Sequence, residues 1–467
     1  MNLLDQLNPR QSEAVTYTLG PLLILAGAGS GKTRVIIHRI AALIHEQVPP
    51  SMILGVTFTN KAANEMKVRL AELLGDAANG VRLSTFHSLG VRILRETIHH
   101  LGYRKNFVIY DTQDQLALIR TVMEDEDLED SPLINPKSVH QAIHLAKTSG
   151  VSPEEMLSPN TPPRTRLEGQ IYRRYQEMLK GCNALDFEDI LNLTLELFEK
   201  HQEAIREVTS RFRYVMVDEY QDTNAVQYRL LRRLVEPHRN LCVVGDDDQS
   251  IYGWRGAEPA NLSRFEKDFP NAKLIRLEQN YRSTEVILQA ANQLIRNNTQ
   301  RLPKELWSEK PGGSLIEWIP AEDETKEMET VVRRIRLQAM RHGRKLSDYC
   351  ILYRSHFQSR VVEEALRDAR VPYRIVGSQS FFERQEVRDV LAYLKLIRNP
   401  GDEVSLQRIV NTPRRGIGKA SLVKLIACSR VKGVSSFQLM KKARTLEGIP
   451  PEAAASMEVF SAIINDF

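Results

Sequence analysis

The chain has 467 residues, 42% of them apolar and 26% charged, with a formal net charge of +5 and a pI near 8.9. That length exceeds one compact core and predicts about two to four domains, while the mildly basic balance admits an anionic partner only through a local groove. The four cysteines, Cys182, Cys242, Cys350 and Cys428, stand far apart, which argues against a zinc site or a disulfide framework and fits a reducing, cytoplasmic setting.

The start, "MNLLDQLNPRQSEAV", lacks a basic segment followed by an apolar stretch. No later apolar run approaches the ~18 residues of a membrane span, so no membrane partner is expected. "PLLILAGAG" then predicts a strand ending in glycines, and "KTRVIIHRIAALI" has the apolar spacing of a helix. Between them "AGAGSGKT", Ala26, Gly27, Ala28, Gly29, Ser30, Gly31, Lys32 and Thr33, fits the P-loop pattern. Glycines at 27, 29 and 31 permit close backbone approach and unusual φ/ψ, so that several N–H groups face one anion. The following helix adds its positive N-terminal end. Lys32 would supply a cation to the β- and γ-phosphates, and the Thr33 hydroxyl would ligate Mg²⁺.

Two more strand and helix pairs follow, "ILGVTFTN" with "KAANEMKVRLAELL" and "VRLSTFHS" with "LGVRILRETI". From about Leu89 to Glu207 helical patterns dominate, interrupted by the polar loop "VSPEEMLSPNTPPRTR". In "DFEDI" Asp186 is expected to cap a helix whose dipole suits the acidic residues. "FRYVMVDEY" and "NLCVVGDDD" are again strand-like runs ending in carboxylates. Asp218 would hold Mg²⁺ and Glu219 would activate the attacking water. Alone, the glycine-rich stretch also reads as a simple turn, and "DE" as the cap of a solvated strand. Together, and in strand-to-helix context, they predict a nucleotide site. A second α/β series begins at "KLIRLEQNYRS" and continues through "SLIEWIPA", "YCILYRS" and "YRIVG"; the rest, from about Ser378, reads as helical. This alternation predicts an α/β fold with functional residues at the carboxyl ends of parallel strands.

In chain order, "LNPRQ", "AGAGSGKT", "TFTNKAANEM", "STFHS", "ALDFEDI", "VDEYQDTN", "VVGDDDQSIYGWRGA", "LEQNYRS", "ILYRSHFQSR", "FFERQEVRDVLAYL" and "NTPRRGIG" resemble the superfamily 1 DNA helicases of the UvrD/Rep/PcrA group, closest to Rep. The resemblance implies two RecA-like P-loop domains, the second incomplete, with helical insertion subdomains. The corresponding boundaries are 1–88 with 208–277 for the first RecA-like domain, 89–207 for its insertion, 278–377 for the second domain and 378–467 for a further helical subdomain. It also implies roles. Gln11 would read the adenine edge, Tyr281 would stack on adenine with Arg34 nearby, Arg282 would reach the γ-phosphate, and Gln249 would sense it. Tyr252 and Trp254 would stack on DNA bases, with Arg255 near the backbone; a core role for Trp254, capping the sheet, is the alternative. Thr57, Phe58, Asn60, Lys61, Thr85, His87, Arg354 and His356 are further DNA-contact candidates, His87 being equally readable as structural. "FFERQEVRD" resembles a DNA-facing segment, although helix packing explains Phe381 and Phe382 as well.

The activity so implied is ATP- and Mg²⁺-dependent 3′→5′ translocation and unwinding on single-stranded DNA and its junctions with duplex, in replication restart or repair. Replication or repair proteins and self-association are the protein partners it admits. Family members continue beyond Phe467, so the chain is expected to be C-terminally truncated. The alternative is therefore a nucleotide- and single-stranded-DNA-binding module without efficient unwinding. A metabolite kinase leaves "QSIYGWRG" unexplained.

Overall fold

The computed structural model describes residues 4–128, 130–299, 301–376 and 384–467. Phe381 and Phe382 lie outside them. Among the described residues the eight strands are β1 (Leu22–Ala26), β2 (Ile53–Thr57), β3 (Arg82–Thr85), β4 (Val108–Ile109), β5 (Ala184–Leu185), β6 (Tyr214–Val217), β7 (Leu241–Gly245) and β8 (Lys273–Leu277). Six form one parallel sheet in the order β3, β2, β6, β7, β1, β8. Alternate residues along its strands enter two cores. Leu23, Leu54, Val56, Val215, Val217 and Val243 pack on one face. Leu22, Ile24, Ile53, Met216, Cys242 and Val244 pack on the other. This double burial explains why β1, β2 and β7 read as continuous apolar runs.

Four helices frame the functional edge: α1 (Pro9–Thr16), α2 (Lys32–His45), α3 (Asn60–Leu74) and α4 (Phe86–Thr97). Because the strands are parallel, their carboxyl ends bring Ala26, Thr57, Thr85, Asp218 and Asp246 to one edge of the sheet. The expected boundary at Leu89 falls inside α4, whose Leu89, Ile93 and Leu94 belong to the sheet core. Beyond α4 a helical body follows. Helices Thr112–Asp125, Pro136–Ser149 and Pro163–Gly181 bury Ile119, Val122, Val139, Ile171 and Tyr175 beside the pair β4 and β5.

The C-terminal helices gather around Leu396, Ile409, Leu425, Phe437, Met457 and Phe460. They are tied to the insertion by Tyr110, whose hydroxyl donates to Asp402 at 2.7 Å, and by Lys395 on Asp114 at 2.6 Å. Met1–Gly313 and Ala392–Phe467 thus form one compact unit, and Ser314–Leu391 a second.

"KLIRL", read as the start of a second α/β series and left in the first domain by the 208–277 boundary, is β8 and pairs with β1, Leu22 facing Lys273. One sequence expectation changes. In the second unit the stretches "SLIEWIPA", "YCILYRS" and Tyr373–Val376 contain no paired strand among the described residues. A parallel strand needs a neighbour for its N–H and C=O groups. Here Leu315, Ile316, Trp318, Leu352 and Val376 are exposed. The second unit is held instead by helices Glu324–His342 and Ser359–Asp368, which meet through Val332, Val362 and Leu366 with Val371.

Candidate nucleotide and nucleic-acid site

The P-loop is pinned through its carbonyl groups, three of them held from outside and one from within the loop. Asn280 Nδ2 donates to Ala28 O at 2.6 Å, Tyr281 N–H to Gly29 O at 2.9 Å, Gln11 Nε2 to Ser30 O at 2.8 Å, and Ser30 Oγ to Gly27 O at 2.7 Å. Gly29 and Gly31 adopt φ of +67° and +88°, as the sequence led us to expect. Gly27 does not; a Cβ there would collide with Leu306. Gly31 is the N-cap of α2, which sets Lys32, Thr33 and the exposed Arg34 in its first turn.

Lys32 Nζ is shared between Glu219 Oε2 at 3.1 Å and Gln249 Oε1 at 3.2 Å. Thr33 Oγ1 lies 3.4 Å from Asp218 Oδ2. Burial, helped by the like charge of Glu219, pushes the Asp218 carboxyl up to about 6. Glu219 holds a left-handed φ of +53°. That conformation is costly for a residue with a side chain, and it concentrates at functional sites. Thr33 and Asp218 together offer hard oxygen ligands suited to a divalent cation such as Mg²⁺.

Gln11 is buried, with both ends of its amide engaged. Its Oε1 accepts from the Asn8 backbone at 3.1 Å while Nε2 holds Ser30. Reading an adenine edge therefore requires exchange of one of these bonds. Asn8 also donates to the Tyr281 hydroxyl at 2.8 Å, leaving the Tyr281 ring exposed. Arg282 is exposed beside Gly29.

The aromatic residues gather a few residues from Gln249. Phe58 stacks on Tyr252 with centroids 4.9 Å apart, and Arg255 lies 4.5 Å above the Trp254 ring. Trp254 is 66% exposed, so the sheet-capping alternative is excluded. Phe58, Trp254 and Arg255 line one wall of a cleft of about 840 Å³. His87 and Phe187, stacked at 3.8 Å, line it too. Phe187 was missed: "DFEDI" gave only a helix start, and nothing local shows that its ring is half exposed beside His87.

Other candidates divide. Asn60 and Lys61 are exposed at the start of α3. Thr57 is buried and its hydroxyl has no partner. Thr85 is buried and caps α4, accepting from Ser88 N–H at 3.2 Å. Arg354 and His356 are exposed in the second unit. Asp186 does accept the Asp189 N–H at 2.8 Å, but the expected dipole role is incomplete. Buried Lys147 sits between Asp186 and Asp189, at 2.5 and 2.7 Å. The helix start is thus also an internal ion-pair triad.

Comparison with known proteins gives two adjoining matches. The model of the UvrD/REP helicase N-terminal domain covers residues 7–270, and that of the UvrD-like helicase C-terminal domain covers residues 275–448. The chain is 46% identical over 465 residues to the ATP-dependent DNA helicase PcrA of Bacillus subtilis (strain 168), covering 99% of this chain and 63% of the relative. It is 46% identical over 442 residues to PcrA of Staphylococcus aureus (strain Mu50), covering 94% and 60%. The chain thus spans less than two thirds of the length of these relatives. They specify the family, not a place beside Rep within it. Among the described residues no helix is long and apolar enough to cross a membrane.

Proposed function

The chain belongs to the UvrD/Rep helicase family, and on that premise we propose that it carries the ATP-driven motor of a DNA helicase. It moves 3′→5′ along single-stranded DNA and acts at junctions with duplex, in replication restart or repair in the cytoplasm. The observation that carries this reading is the sharing of Lys32 between Glu219 and Gln249. Gln249 lies on the loop that continues to Tyr252 and Trp254, so one short segment touches both the nucleotide cradle and an aromatic strip.

The chemistry follows from those positions. Backbone N–H groups of residues 27–33 receive the phosphates at the start of α2. Lys32 exchanges its present partners for phosphate oxygens, which frees Glu219 to take a proton from the attacking water. Gln249, released by the same exchange, turns to the γ-phosphate. Arg282 neutralises charge from the opposite side, and Tyr281 offers its exposed ring to adenine. Thr33 and Asp218 would hold Mg²⁺, which when bound neutralises the charge developing on the phosphates. Bases stack on Trp254, Phe58 and Tyr252, each worth about 1–3 kcal/mol. Arg255, Asn60, Lys61 and His87 contact the strand; Arg354 and His356, exposed within the second unit, remain DNA-contact candidates of that unit.

A second reading, binding of nucleotide and DNA without efficient unwinding, is favoured by the unpaired strand segments of the second unit. Steady-state ATP hydrolysis with and without oligo-dT, and strand separation on 3′- and 5′-tailed duplexes, decide between them. DNA-stimulated turnover that falls at least about a hundredfold in Lys32→Ala, with unwinding from the 3′ tail, is expected. Turnover indifferent to DNA, or retained in Lys32→Ala, would sink the motor reading. Tight binding without strand separation would favour the second.

A further inference from the structure

The loop that carries Gln249 opens with Asp246, Asp247 and Asp248, whose carboxylates come close enough together to suggest a cation site. The place is filled from within the chain. Lys304 Nζ lies 2.9 Å from Asp246, 2.5 Å from Asp247 and 2.7 Å from Asp248, and its side chain is 2% exposed. Arg301 forks onto Asp248 at 2.9 and 2.7 Å, and Leu302 N–H donates to Asp247 at 2.6 Å. Burial alone would lower the Lys304 ammonium's affinity for its proton; the three carboxylates outweigh that and raise it. The ammonium is therefore a resident cation, and the triad is not a free metal site.

Its position is informative. One Asp246 oxygen meets Lys304, and the other accepts from Gln249 Nε2 at 2.6 Å. Gln249 Oε1 in turn meets Lys32. The Asp246 N–H donates to Gln221 Oε1 at 3.0 Å, and Gln221 Nε2 reaches Glu219 Oε2 at 2.8 Å. Lys304 thus closes a chain of contacts that ends on the P-loop lysine. It belongs to the segment that follows Tyr281 and Arg282, places Leu306 against Gly27, and joins Trp307 to Gln279. No feature of "RLPKELW" marks it in the sequence.

We propose that Lys304 is a positioning residue that couples the nucleotide site to the DNA-binding loop. Its charge fixes Asp246, and Asp246 fixes Gln249 at the head of the loop that carries Tyr252 and Trp254. Without the ammonium, three adjacent carboxylates, Asp246 buried and Asp247 and Asp248 half-buried, repel one another and the loop loses its register. This rests on the reading of Gln249 as the nucleotide sensor.

The test is the coupling between ligands, measured on the full 467-residue chain without turnover. The affinity for oligo-dT is titrated with and without a non-hydrolysable ATP analogue, and each ligand is also titrated alone. The wild type is expected to show coupling of about fivefold or more. In Lys304→Met the coupling should fall below about twofold while each single affinity stays within about threefold; Lys304→Arg should restore it. If Lys304→Met does not fold, the double variant Lys304→Met/Asp247→Asn relieves the unpaired charge yet still leaves Asp246 without its cation, and it should show the same loss. Full coupling in either methionine variant overturns the proposal. So does a loss that Lys304→Arg fails to restore, or a wild type that binds both ligands without coupling. Failure of the wild type to bind ATP analogue or DNA overturns the motor reading itself, and this proposal with it.

Discussion

Burial sets the charge of His87. Its ring is stacked on Phe187, and loss of water holds the imidazole down at about 4, against an ordinary 6.5. The folded ring is therefore neutral near pH 7, where a cation would have suited a phosphate contact. The stability consequence has a definite sign. As pH falls from 6.5 towards 4 the unfolded chain takes up a proton that the folded chain refuses, so stability is lost through that window. The thermal midpoint should drop less between pH 6.5 and about 4 in His87→Asn than in the wild type; equal drops would show that this ring is not responsible. The same residue shows the limit of local reading. "STFHS" announces a histidine after a strand, but only its stacking and burial fix its protonation.

At the scale of elements, α1 illustrates how a cap becomes part of a site. Asn8 accepts from the Gln11 N–H at 2.7 Å, and the Gln11 side chain returns to the Asn8 N–H, a complete capping box. The same asparagine holds the Tyr281 hydroxyl, and the same glutamine holds the P-loop at Ser30. Asn8→Ala should cost about 1 kcal/mol of stability, read from the denaturant midpoint. It should also weaken binding of a fluorescent ATP analogue, because Gln11 and Tyr281 lose a common support. Unchanged nucleotide affinity alongside the stability loss would confine Asn8 to capping. "LNPRQ" pointed to Gln11 alone and the cap went unread, although a polar residue before proline is a local signal. Its reach to Tyr281 crosses 273 positions and was not legible.

At the scale of the whole molecule, distant segments are fixed by buried charge. Lys147, on the helix Pro136–Ser149, is paired with Asp186 and Asp189, and Tyr175 donates to Asp186 at 3.2 Å. Burial and the neighbouring Asp186 push the Asp189 carboxyl up to about 7, the expected result of two carboxylates sharing one ammonium. Lys147→Met would leave both acids buried without a cation. A loss of about 3–5 kcal/mol is expected, on the order of 5 °C in thermal midpoint for a unit of this size. A shift of only about a degree would mean that the acids protonate at little cost.

The sequence by itself determined the glycine-rich loop ahead of α2, the carboxylates at the ends of β6 and β7, and the strand-to-helix alternation that places them together. These are encoded by contiguous residues: glycine conformations, a following helix, and apolar runs buried on both faces of a parallel sheet. Tertiary structure alone decided that Trp254 stands exposed beside Phe58 and Tyr252, and that Phe187 joins His87. It also decided that Asp246, Asp247 and Asp248 hold Lys304, 57 positions from Asp247. The physical reason is that a carboxylate's spacing in sequence shows its charge but not its counter-charge. Only the path of the chain through space determines whether a metal, a phosphate-binding lysine or a buried ammonium meets it.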